Sequence, residues 1–186
     1  MEENTDEALY RIYLEKADNN AFKILLERHR EPLTLFLNRM LHNMEDAEDV
    51  MLDAYAVAAS GTTKFKEKSS FKTWLYAIAR NLALKHLRKK HFFFIPLNEE
   101  TAEIPEDNSS PDMELLKTEE NKILYEALNK IHPDYSQILH LMYFEEMDND
   151  EIAKVLGKNK KQVYNLAARG KQALKETMQT LGYERG

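Results

Sequence analysis

The sequence contains no cysteine among its 186 residues, which excludes disulfide frameworks, thiolate zinc sites and cysteine nucleophiles. Glycine and proline are scarce, at five each, so few turns and long helices are expected. No apolar run reaches the ~18 residues that a membrane-spanning helix needs. The opening MEENTDEALYR is acidic and lacks the basic-then-apolar order of a secretory signal, so a cytoplasmic protein without membrane insertion is expected. The six histidines (His29, His42, His86, His91, His132 and His140) fall in no HExxH-like spacing, and no nucleophile elbow accompanies them. The expectation is a protein that is not an enzyme, with no catalytic residue, no metal, no cofactor and no small-molecule substrate.

The formal net charge is −6, which disfavours nucleic acid as a partner if the charge is spread evenly. It is not spread evenly. Residues 61–92 carry +8 and residues 154–175 carry +7, while residues 1–60, 93–121 and 122–153 carry −7, −8 and −5. Two basic blocks in an acidic chain are more informative than the total. Residues 93–121 also hold three of the five prolines (Pro96, Pro105 and Pro111), and no helical or strand period survives through 98–111. This segment reads as a linker between two small helical domains, giving an all-α chain with domains at 1–92 and 115–186 joined by an acidic linker at 93–114.

Apolar spacing predicts helices over 5–17, 19–42, 45–59 and about 70–90 in the first half. Pro32 is expected to kink the second of these or to start a new turn. In the third, Ala47, Val50, Met51, Ala54 and Val57 form one apolar stripe, and Asp46, Asp49 and Asp53 form a separate acidic face. That face is either a solvated helix surface with acids favourably placed near its N-terminus, or a docking surface for a basic partner. The loop 61–70 is rich in lysine, and Ser69 or Ser70 can cap the helix after it. That helix carries an inward stripe of Phe71, Leu75, Ile78 and Leu82, with Trp74, Asn81 and Arg88 on a flanking ridge and Lys85 beside them. Cations with an aromatic ring and an amide suit single-stranded or melting nucleic acid. The alternative is that Trp74 and Tyr76 belong to the core and the lysines only solubilise.

In the second half, helices are expected over 113–131 and 134–145. A short helix capped by Asp148 or Asn149 follows, ended by Gly157, and a longer one starts near Lys160. Two helices joined by a glycine turn make a helix-turn-helix. The second has no acidic residue from 160 to 175. Its expected outward residues are Lys160, Lys161, Gln162, Tyr164 and Asn165, of which the amides suit adenine and the lysines guanine. Arg169 and Lys171 lie further along and suit phosphates. A protein-binding helical hairpin is the alternative.

The chain resembles the bacterial RNA polymerase sigma factors of the small, two-domain extracytoplasmic-function group. DAEDVMLDAYA (46–56) is similar to the family's region 2.2, SSFKTWLYAIARNLALKHLRK (69–89) to regions 2.3 and 2.4, and the helix-turn-helix, with EIAKVLG, Val163 and Arg169, to region 4.2. The resemblance implies core RNA polymerase and promoter DNA as partners, and an anti-sigma factor, often membrane-bound in relatives. It implies that Asp46, Glu48, Asp49 and Asp53 dock on the polymerase. Lys64, Lys66, Lys68, Lys72, Trp74, Arg80, Asn81, Lys85, Arg88 and Lys89 would engage the −10 element and its melted strand. Lys160, Lys161, Gln162, Tyr164, Asn165, Arg169 and Lys171 would engage the −35 element. This sequence departs from the family pattern at Leu52 and Asp53, where glutamine and glutamate are usual, at Lys158, and at Gly170, where alanine is usual. The other functions considered are an autonomous helix-turn-helix regulator and a helical protein-interaction adaptor.

Overall fold

The computed structural model describes residues 4–93 and 118–183. Eight helices account for almost all of them, and no strand occurs among the described residues. They are α1 (Asp6–Lys16), α2 (Asn19–Leu41), α3 (Met44–Ser60), α4 (Phe71–Phe93), α5 (Glu119–Lys130), α6 (Pro133–Tyr143), α7 (Asn149–Leu156) and α8 (Lys160–Thr180). The expected linker and the start of the helix expected from 113 lie outside the described residues, except that Phe93 ends α4.

Capping explains most of the boundaries. Thr5, Asp18, Asn43, Thr118, Asp148 and Asn159 each accept a backbone N–H of the helix they precede, satisfying donors that the first turn leaves unpaired. Ser70 does the same for α4: its Oγ accepts from the Thr73 N–H at 3.1 Å. Because glycine is scarce, two helices end on other residues in the left-handed region, Ala17 at φ 50° and His42 at φ 48°, a conformation that costs most residues a little. Helix α2 runs on through Pro32 without interruption, so no new helix starts there. The proline removes its own N–H, and the flanking Leu33, Phe36 and Leu37 are fully buried, so packing holds the helix together across the missing bond.

Helices α1–α4 surround a core of Leu25, Leu33, Phe36, Met51, Phe71 and Leu75. Two tyrosines tie it with their hydroxyls: Tyr10 donates to the Ala58 carbonyl at 2.8 Å and Tyr55 to the Leu25 carbonyl at 3.2 Å. Helices α5–α8 pack through Leu128, Ile138, Leu139, Ile152, Val155 and Val163. The two groups of buried side chains are continuous, because α6 lies on α2 and α7 lies on α4.

Gly170 is buried where α8 crosses α6. A Cβ there would stand 3.4 Å from Tyr135 Cβ and 3.5 Å from Leu139 Cγ, which is ordinary contact. Gly170→Ala therefore removes the backbone-entropy cost of a mid-helix glycine without a clash. It is expected to raise stability by roughly 0.5–1 kcal/mol, read as a higher thermal midpoint by circular dichroism; a lower midpoint would mean that the α6–α8 crossing is tighter than these distances allow.

Candidate nucleic-acid interface

The helix-turn-helix forms as the sequence predicts. Asp148 and Glu151 make a reciprocal capping box at the start of α7, Gly157 turns the chain at φ 63°, and Val163 and Ala167 point inward. Lys160, Lys161, Gln162, Tyr164, Asn165 and Arg169 are all exposed, and Tyr164 is 69% exposed. Lys158, Gln162, Asn165, Leu166 and Arg169 line a shallow concavity along this face.

The structure distinguishes among these residues in ways that spacing does not. The Gln162 side-chain oxygen accepts from the Asn159 N–H at 3.0 Å, closing the capping box of α8. Bidentate contact with adenine needs both amide atoms, so Asn165 is better placed for it than Gln162. Lys160 pairs with Asp150 at 3.0 Å, an exposed and therefore weak contact. Lys171 lies over the Tyr143 ring, 5.9 Å from its centroid, which draws it toward the back of the helix.

The first basic block divides in two. Lys64, Lys66 and Lys68 are exposed on the 61–70 loop, and Asn81, Lys85, Arg88 and Lys89 are exposed on α4. Trp74 is half-buried and stacks among Tyr10, Phe65 and Phe71, with ring centroids 5.2–5.7 Å away. Trp74 thus braces the loop while staying partly exposed. Lys72 and Arg80, in contrast, face the second half of the molecule. Lys72 Nζ lies 2.8 Å from a Glu145 carboxylate oxygen and donates to the Glu145 carbonyl at 3.0 Å. Arg80 donates to the Gln137 side-chain oxygen at 3.0 Å and to the Leu156 carbonyl at 3.4 Å. Burial lowers the Arg80 pKa, partly offset by the nearby Asp134 charge.

Glu145 is 8% exposed. Burial pushes its carboxyl up, but the hydrogen bonds and charges of His140 and Lys72 outweigh this and hold it at about 2. His140 Nε2 lies 3.2 Å from Glu145, and its own pKa is lowered, chiefly by burial. Sequence reasoning did not single out Glu145; one acidic residue in an acidic stretch carries no periodic signal.

The acidic face of α3 is narrower than its sequence suggests. Glu48, Asp49 and Asp53 are exposed, with Leu52 53% exposed between them. Asp46 is drawn inward instead, to Lys90 and to His86 at 3.4 Å on α4. Burial opposes its ionisation, and these two partners lower its pKa nonetheless. A groove of about 510 Å³ between α2 and α3 brings Glu27, Arg30 and Glu31 to the same surface as Glu48, a proximity that spacing along α3 alone does not reveal.

Known proteins match this arrangement. The family model for Sigma-70 region 2 matches residues 25–92 and that for Sigma-70, region 4 matches residues 121–174. RNA polymerase sigma factor YlaC of Bacillus subtilis is 29% identical over 83% of this chain and 90% of its own length. The ECF RNA polymerase sigma factor SigW of the same organism is 27% identical over 90% and 94%, and the sigma-E factor of Escherichia coli is 24% identical over 97% of each. Among solved structures, CnrH in complex with the cytosolic domain of CnrY superposes with a TM-score of 0.66 at 20% identity, covering 94% of this chain and 97% of CnrH. The sigma factor RpoE of Bartonella quintana, in complex with the anti-sigma factor NepR, gives 0.64 at 22%, covering 85% and 96%. These two likenesses concern the fold.

The aromatic brace under the basic loop yields a direct test. Trp74 is the one tryptophan, so its emission reports this site alone. Phe65→Ala should shift that emission to the red and cost about 1–3 kcal/mol, below the range for a fully buried phenylalanine because Phe65 is partly exposed. An unchanged emission maximum would show that Phe65 does not shield Trp74.

Proposed function

The chain belongs to the sigma-70 family of RNA polymerase sigma factors, in its extracytoplasmic-function group, and on that footing we propose how its surfaces divide the work. As a sigma factor it binds core RNA polymerase and directs promoter-specific initiation of transcription. Residues 1–92 are taken as the polymerase-docking and −10 domain and 115–186 as the −35 domain, with 93–114 as the linker. The protein acts in the cytoplasm by binding and not by catalysis. An anti-sigma factor is among its partners, in keeping with the complexes that CnrH and RpoE form.

The observation that carries this reading is the separation of opposite charges onto different helices of one chain. The acid-free stretch of α8 stands outward on a helix-turn-helix, and the acids of α3 stand on another face. On α8, Asn165 and Lys161 meet base edges of the −35 element in the major groove, while Arg169 holds a phosphate. Tyr164 adds apolar contact with a thymine methyl. On α4 and its loop, Lys64, Lys66, Asn81, Lys85, Arg88 and Lys89 follow the backbone of the −10 strand, and Trp74 offers its edge to an unstacked base. On α3, Glu48, Asp49 and Asp53 flank Leu52, an apolar centre within a charged rim, which suits a basic helical surface of the polymerase.

Transcription by purified core polymerase is the test of the whole reading: added chain should start transcripts at a defined set of promoters. No transcript from any genomic promoter, together with no binding to core enzyme, would refute it. Asp49→Lys should abolish core binding with the helical circular dichroism unchanged; normal core affinity would make the acidic face a solvated surface only. Asn165→Ala should relax preference at one −35 base pair by about 1–3 kcal/mol, whereas Arg169→Ala should weaken all −35 variants alike. Equal losses from both would place Asn165 on a phosphate as well.

A further inference from the structure

Helix α1 meets the lysine-rich loop 61–70 at its start, its middle and its end. At the start, the Tyr10 hydroxyl donates to the Ala58 carbonyl at 2.8 Å and the Tyr13 hydroxyl to the Ala59 carbonyl at 3.2 Å, both in the last turn of α3. In the middle, the Tyr10 ring lies 5.9 Å from that of Phe65, and Arg11 donates to the Glu67 carboxylate at 2.8 Å. At the end, the Phe71 N–H donates to the Glu7 carboxylate at 2.8 Å. Phe71 opens α4, so a negative charge stands where the helix leaves N–H groups unpaired and its dipole is positive. Glu7 and Arg11 are four residues apart, which sets both on the same side of α1.

Glu67 is also the strained residue of the loop. Its φ is 53°, in the left-handed region that glycine fills freely and that costs a residue with a side chain. Such a residue persists only where its surroundings hold it. Two contacts hold this stretch: the Lys68 carbonyl accepts from Lys154 at 2.6 Å, and the Glu67 side chain is held by Arg11. The paired side chains are 55% and 53% exposed, so the pair adds little to the stability of the fold. The backbone preference it opposes is small as well, so the pair sets the path of the loop without deciding whether the chain folds. It also draws the loop's one acid toward α1. Lys64, Lys66 and Lys68 surround Glu67 in the sequence, and a carboxylate left among them would repel the phosphates they attract.

We propose that α1 is the positioning element of the −10 loop. Arg11, acting through Glu67, sets the path of the backbone that carries Lys66 and Lys68, and Glu7 fixes where α4 begins. Neither residue needs to touch DNA. The inference rests on the reading of the loop and α4 as the −10 surface, and it brings into promoter choice a helix outside both basic blocks.

Charge exchange separates positioning from contact. Holoenzyme is assembled from core polymerase and the full chain, and opening of a promoter that it transcribes is followed by permanganate reactivity of the −10 thymines. Arg11→Ala should slow opening by about two- to fivefold, the ratio that loss of an exposed ion pair gives, and should narrow the discrimination against single-base changes in the −10 element. Responses to −35 changes, affinity for core polymerase and helical circular dichroism should match the wild type. Arg11→Glu sets two carboxylates together and should be slower still. Adding Glu67→Arg to it should return opening to within about twofold of wild type, because the two sites act as a coupled pair. A direct contact of Arg11 with DNA would not be restored by this exchange. Unchanged opening and −10 preference in Arg11→Ala and Arg11→Glu, a double variant no faster than Arg11→Glu, or equal losses on −10 and −35 variants would each overturn the positioning role. Lys64→Ala and Lys66→Ala test the reading beneath it. If they leave opening unchanged, the loop is not the −10 surface and the proposal falls with that reading; if they slow opening while Arg11→Ala does not, only the proposal falls.

Discussion

The contact on which this arrangement depends is the one between the Lys72 ammonium, which is partly exposed, and the buried Glu145 carboxylate beside His140. Glu145 does not tolerate burial without a partner. Their mutual satisfaction allows α7 to lie along α4 and α6 along α2. Around it, Arg39 donates to Asn129 at 2.8 Å and its guanidinium stands 4.6 Å from the centroid of the Tyr125 ring. Polar contacts of this kind stand beside the continuous apolar core that joins the two halves.

The net charge of −6 gains a physical meaning from such pairings. The acidic segments answer the basic ones within the molecule: Asp46 takes Lys90 and His86, and Glu145 takes Lys72. Glu48, Asp49 and Asp53 stay exposed.

Much of this was legible from local pattern. The helix-turn-helix could be read from Asp148, Gly157 and Val163, because a cap, a left-handed turn and an inward apolar residue are all short-range signals. The apolar stripe of α3 and the cap at Ser70 could be read for the same reason. Pairings between distant parts of the chain could not. Asp46 sits in the same acidic row as Asp49 and Asp53, yet only Asp46 faces α4, which lies over its end of α3. Lys72 and Arg80 look no different in sequence from Lys85 and Lys89; only the docking of α6 and α7 separates them. Gln162 has the spacing of a base reader, and the same spacing makes it the reciprocal partner of Asn159 in a cap. Charge counts give the sign of a surface, and the fold decides which of its charges are already spent.

Reactivity of the Lys72 amine toward an acylating reagent tests the central claim most directly, with Lys85 and Lys89 as exposed references on the same helix. The account predicts that Lys72 reacts more slowly than the references in the wild-type chain and as fast as they do in Glu145→Ala, where its carboxylate partner is gone. A Lys72 that reacts as fast as Lys85 in the wild-type chain would contradict it.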